Sequence, residues 1–243
     1  PGAGPNREAV DKVIDLLGVV YEQDPEYPQV QNLLATSRRL NAALMKSEQR
    51  YAAAEEQLLL ALELNPESVE LLLEMANVYL IQGQIEKAES TLRQILDIDP
   101  KSINAHIGIG NLLADQGRTD EALQEYEAVL AIDPDYPGAY YQIGFTHQNL
   151  GNFKQAVEAY RSALKYRDTW DGWHIAANNL AWILATVNDP TLRDGQEALN
   201  WANDLVNGFT EELPPDYIEY LDTQAAAFAA LGVLALLSGP AAV

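Results

Sequence analysis

An internal period of thirty-four residues constrains this chain more than any other feature of its sequence. Ala54, Ala88, Ala122 and Ala156 recur at that spacing, as do Gly83, Gly117 and Gly151, and as do Pro66, Pro100 and Pro134. Asp168 stands where a fourth Pro would fall. Large apolar residues keep the same phase in two further rows: Leu58, Leu92, Tyr126, Tyr160 and Leu64, Ile98, Ile132, Tyr166. A unit of this length cannot bury its own apolar face, so successive units must stack and share a core.

Within a unit the spacing is helical. Leu72, Met75, Ala76 and Tyr79 lie on one face of a first helix. Gly83, Gly117 and Gly151 stand where a helix end needs a left-handed residue, so each marks a turn into a second helix. Ala88, Ala122 and Ala156 are small because two helix backbones approach there, and Leu92, Tyr126 and Tyr160 fill the space one turn later. Asn65-Pro66, Asp99-Pro100 and Asp133-Pro134 end the units, because Pro disfavours helix in the residue before it.

These residues resemble the tetratricopeptide repeat, a pattern of a large residue, Leu-Gly, Tyr, Ala, an aromatic and Pro. Residues 69–102 give Leu72, Met75-Ala76, Tyr79, Ala88, Leu92 and Pro100; residues 103–136 give His106, Ile109-Gly110, Leu113, Ala122, Tyr126 and Pro134. Residues 137–170 give Tyr140, Ile143-Gly144, His147, Ala156 and Tyr160, then Asp168 and an irregular link through Trp170 and Trp173. The resemblance implies an all-α fold, a right-handed superhelical solenoid of antiparallel helix pairs. The expected organisation is an N-terminal capping helix in 1–26, a long divergent hairpin in 27–66, three regular units in 67–170, and a divergent pair with an apolar end in 171–243.

Pro25 precedes Pro66 by one period plus seven residues. Seven residues are close to two helical turns, so the hairpin is expected to lengthen by a turn in each helix, over about 28–46 and 48–64, without rotating its apolar faces. Val10, Val13, Ile14, Leu17, Val20 and Tyr21 make one more amphipathic helix upstream. Asn178 to Thr186, Arg193 to Ala198 and Tyr220 to Ala229 resemble a divergent terminal repeat pair frequent in bacterial members of the family, and imply helices near 173–187, 194–208 and 216–231. Trp182 and Trp201 are expected in its core.

Charge narrows the partners. The chain carries 15 Lys+Arg against 36 Asp+Glu, a formal charge of −21. Such a surface repels phosphate backbones and anionic headgroups, which excludes a nucleic-acid role and disfavours a peripheral membrane one. Thr223 to Val243 are uncharged, but the stretch is Ala-rich, is interrupted by Gly232 and Ser238-Gly239-Pro240, and has no basic flank. A packed terminal helix is the expectation. Zero Cys removes disulfides and thiol chemistry, and the three histidines, His106, His147 and His174, are expected to pack or cap. No zinc-protease, phosphate-loop or serine-elbow motif occurs and no calcium loop has the required spacing. No catalytic residue, metal or cofactor is expected.

By the resemblance, the first helices line a concave groove, with Leu73, Asn77, Ile107, Asn111, Tyr141, Phe145, Gln148 and Asn149 on its face. That set has no Lys or Arg, so the carboxylate grip of chaperone-binding relatives is not expected. Asn side chains between apolar contacts suit a neutral or basic protein or peptide segment, giving an interaction scaffold as the expected function. The alternative is a structural subunit that self-associates head to tail, as an oligomer or filament, through an apolar end at Phe228, Leu231, Leu234 and Leu237. A weaker alternative is a docking domain excised from a larger enzyme. The compartment is not fixed by the sequence, with the bacterial envelope or secretion favoured over the cytoplasm.

Overall fold

A computed structural model of the protein describes residues 7–25, 27–208 and 217–230. Among these, the chain forms twelve α-helices and no strand. They are α1 (Arg7–Gln23), α2 (Pro28–Ser47), α3 (Tyr51–Leu64), α4 (Val69–Ile81), α5 (Ile85–Ile98), α6 (Ile103–Asp115), α7 (Thr119–Ile132), α8 (Pro137–Asn149), α9 (Phe153–Leu164), α10 (Trp173–Thr186), α11 (Gly195–Gly208) and α12 (Tyr217–Ala230). The chain divides into two compact units, 1–117 with α1 to α6 and 118–243 with α7 to α12.

The turns follow from the period. Gly83, Gly117 and Gly151 take φ of +72°, +75° and +74°. In α4–α5 and α8–α9 the same hydrogen bond closes the end of the first helix: Gln84 N donates to Tyr79 O at 2.8 Å and Asn152 N to His147 O at 2.9 Å. Gln49, one period before Gly83, holds the same place with φ +59°, and Arg50 N donates to Met45 O at 2.8 Å. The long hairpin therefore turns in register with the regular ones. Its extra residues are all at the start of α2, which has 20 residues against 13 in α4, while α3 and α5 both have 14. This corrects the expectation of one added turn in each helix: a second helix is bounded by the turn on one side and the Pro link on the other, so only the first helix is free to grow.

The links are built from the Asx residues before Pro. Asp99 and Asp133 accept from the backbone N of Lys101 and Asp135, each at 3.1 Å, turning the chain into the next first helix. Ser68 caps α4 by accepting from Leu71 N. In the first unit the repeat core is Ala54, Ala61, Leu58, Ala88, Leu92, Ile95, Met75 and Ile109, all buried. In the second unit Ala156, Tyr160, Ala163, Leu180, Ala181, Leu184, Ala198, Leu205, Tyr220 and Ala227 form one continuous cluster. Helices α10, α11 and α12 run within one or two residues of the bounds expected from the divergent pair.

Candidate functional site

In the first unit, the residues expected to line the groove lie on α4 and α6. Asn77 is exposed, while Leu73, Ile107 and Asn111 are half-buried. The same row continues on α2, where Arg39 stands one period before Leu73 and Lys46 one period before Leu80. These two cations lie outside the residues expected to line the groove. Arg39 Nη1 pairs with Glu70 Oε1 at 2.7 Å and Glu74 Oε1 at 3.0 Å, and Lys46 Nζ pairs with Glu74 Oε2 at 3.3 Å. Their charge is already matched by α4, which leaves no surplus positive charge in that cluster for an anionic tail.

In the second unit, the first helices α8 and α10 carry Tyr140, Tyr141, Phe145, Trp173 and Trp182. Tyr141 is half-buried at the centre of a cluster: its ring centroid lies 6.1 Å from Phe145, stacked, and 6.0 Å from both Tyr160 and Trp170. Burial raises the pKa of the Tyr141 hydroxyl. Phe145 projects outward and is 41% exposed. Tyr160 is fully buried; its OH donates to Gln148 Oε1 at 2.7 Å and accepts from Asn179 Nδ2 at 3.3 Å. The same hydrogen bond fixes the Gln148 amide at the edge of the face.

Trp182 corrects the expectation of a core position. It is 45% exposed. The link before α10 is three residues longer than the period, so Leu180-Ala181 take the place of Ile143-Gly144 in the next repeat and Trp182 that of Phe145. Aligning those two dipeptides is the sequence cue that finds it. Trp201 is half-buried against the core, with the Arg167 guanidinium 5.7 Å from its ring centroid.

Between the ends of α8 and α10 and the start of α9 lies an open cleft of about 400 Å³, lined by Gln148, Asn149, Phe153, Trp182, Ile183, Thr186, Val187 and Asn188. None of the eight carries a formal charge, on a chain of −21. Phe153, at the first turn of α9, is 38% exposed; the same place one and two periods earlier holds Thr119 and Ile85, so the repeat pattern does not mark it. The site offers apolar walls and amide groups that both donate and accept, the chemistry that grips a peptide backbone and one apolar side chain.

His106 Nε2 lies 3.3 Å from Pro100 O, and His174 meets Trp173 and Tyr220 edge-on. Among the described residues no group of three or more His, Asp or Glu is placed to hold a metal, and no helix is long and apolar enough to cross a membrane. Phe228 is half-buried on α12; Leu231, Leu234 and Leu237 lie outside the described residues.

Three family models match: a tetratricopeptide repeat over residues 46–112, a TPR repeat over 110–151 and a tetratricopeptide repeat over 137–169, together more than half of the chain. This chain is a tetratricopeptide repeat protein. Solved structures agree on the fold. A tetratricopeptide repeat protein from Parabacteroides merdae superposes with a TM-score of 0.60 at 20% identity, covering 83% of this chain and 75% of that one. Yeast Tom70 gives 0.64 at 18% identity over 92% of this chain and 44% of its own. YrrB, described as a TPR protein with an unusual peptide-binding site, gives 0.55 at 16% identity over 91% of this chain and 99% of its own. No curated protein matches the sequence. This chain's tetratricopeptide repeats are those of a protein-interaction scaffold in kind.

Proposed function

We propose that the protein is a non-enzymatic scaffold that captures a neutral or basic segment of another protein on the first-helix face of its second unit. The observation that carries this is the uncharged cleft between α8 and α10, walled by Trp182 and Phe153 and edged by Gln148, Asn149 and Asn188. Phe145 extends the apolar surface one helical turn away, supported from behind by Tyr141. An apolar side chain of the ligand enters the cleft while the amides hold its backbone, and the negative field of the chain draws basic flanks. In the first unit Leu73, Asn77, Ile107 and Asn111 offer the same combination of amides and aliphatic contacts. Peptide binding by YrrB, a protein of the same fold, is consistent with this use of the scaffold.

The test is selection from a displayed random-peptide library on the purified protein. The expected ligands contain an apolar residue and Lys or Arg with few acids, and they are lost by Phe145→Ala combined with Trp182→Ala while helicity is unchanged. Ligands that are predominantly acidic, or that bind the double variant equally, overturn the proposal. A mass that climbs with concentration, with no peptide selected, would transfer the function to self-association.

A further inference from the structure

We propose that Gln148 is the specificity-determining donor of the cleft, held in that role by Tyr160, and that the segment it receives is extended there and offers a backbone carbonyl beside its apolar side chain. This rests on the reading of the cleft as a peptide site. Three helices of the second unit build the relay. Asn179 on α10 donates from Nδ2 to the Tyr160 hydroxyl on α9 at 3.3 Å, and that hydroxyl donates to Gln148 Oε1 on α8 at 2.7 Å. A tyrosine hydroxyl has one proton, and here it is directed at Gln148. Burial raises the pKa of that hydroxyl, so the proton is kept well above neutral pH.

The relay gives the Gln148 amide a polarity. Its carbonyl is turned onto the buried Tyr160, which leaves the two N–H groups of Nε2 for a ligand of the cleft that Gln148 lines. Among the described residues no hydrogen bond takes those N–H groups. Asn149 and Asn188, the other two amides of the cleft, are exposed, and no hydrogen bond among the described residues orients their side chains, so each can turn to donate or accept. The repeat does not demand the pair: Ala114 and Leu80 hold the place of Gln148 one and two periods earlier, and Leu92 holds the place of Tyr160 two periods earlier.

A fixed donor beside apolar walls selects an acceptor, because any other group leaves the donor unpaired. Within a helix each carbonyl already accepts from the N–H four residues on, so a helical ligand has none to offer before its last turn. An extended segment offers one at every residue, next to the apolar side chain that Trp182 and Phe153 wall. An ammonium or guanidinium brings only donors, so the basic residues of the ligand flank the anchor and stay outside the cleft.

The test is calorimetric titration of a library-selected peptide into the whole protein and its variants, with unchanged circular dichroism verifying each fold. Gln148→Met keeps the side-chain length and removes the donor; it is expected to weaken binding about three- to tenfold. Tyr160→Phe is expected to weaken binding about threefold in the parent and to add nothing in Gln148→Met, because it acts through that amide. A merely structural effect of the lost hydroxyl would appear in both backgrounds. A helix-stapled form of the peptide is expected not to bind. Exchanging one peptide carbonyl at a time for a thioamide, a poorer acceptor, is expected to weaken binding at one position, next to the apolar anchor. A peptide lost by Phe145→Ala with Trp182→Ala yet indifferent to Gln148→Met, to every thioamide or to stapling overturns this inference alone, as does an equal Tyr160→Phe effect in both backgrounds. No selected peptide, or one indifferent to the aromatic double variant, overturns the reading of the cleft and this inference with it.

Discussion

Single residues carry the repeat, and two of them make quantitative tests. Gln49 holds at φ +59° the turn that Gly holds in the regular repeats. A side chain in that region costs about 1 kcal/mol relative to Gly. Gln49→Gly is therefore expected to raise the melting temperature by about 2–4 °C, and an unchanged midpoint in calorimetry would show that the turn is unstrained. Gly144 is fixed by contact instead of conformation. A Cβ there would sit 2.8 Å from the Tyr160 ring, which is buried and held by Gln148 and Asn179. A Cβ at Gly108 meets the end of the Leu92 side chain at 2.9 Å, which can rotate away. Both changes gain up to about 1 kcal/mol of helix propensity. Gly144→Ala is nonetheless expected to lose about 1–3 kcal/mol in urea titration through overpacking, while Gly108→Ala stays within about 1 kcal/mol of the parent.

At the scale of elements, buried tyrosines set the alkaline limit. Burial raises the hydroxyl pKa of Tyr160 and Tyr141, and burial with the nearby Glu55 carboxylate raises that of Tyr79. A raised folded pKa means stability that is complete below the unfolded value near pH 10 and lost as pH climbs through the folded values. The melting temperature should hold level from pH 7 to about 9.5 and fall above 10, with a shallower fall in Tyr160→Phe. An equal slope in that variant would place the effect elsewhere. The element scale is also where the sequence was most legible: the repeat period located the turns and links of the regular hairpins because turn chemistry and close helix approach each demand one residue type. Legibility failed where the phase slipped. Seven residues before α3 hid that Arg39 and Lys46 continue the first-helix row, and three residues before α10 hid that Trp182 is the successor of Phe145. A residue type signals burial only when its phase is known, and Trp182 without its phase reads as core.

For the whole molecule, net charge outweighs every other electrostatic feature. With a formal charge of −21, repulsion opposes the folded state and weakens as salt shortens its range from about 30 Å at 10 mM to about 8 Å at 150 mM. Surface ion pairs such as Arg118–Glu121 are each worth under about 1 kcal/mol and lose less than the repulsion does. The melting temperature should therefore rise with sodium chloride across that range, and a fall would show that paired charges outweigh the net charge. The same field favours basic ligands, while the cleft that receives them is uncharged. The central claim is most directly tested by isothermal titration of one library-selected basic peptide into the parent protein and into Phe145→Ala with Trp182→Ala. Saturable binding to the parent, weakened at least about tenfold in the double variant, is the predicted result. Equal affinity for both proteins would contradict the assignment of the aromatic face of α8 and α10 as the binding surface.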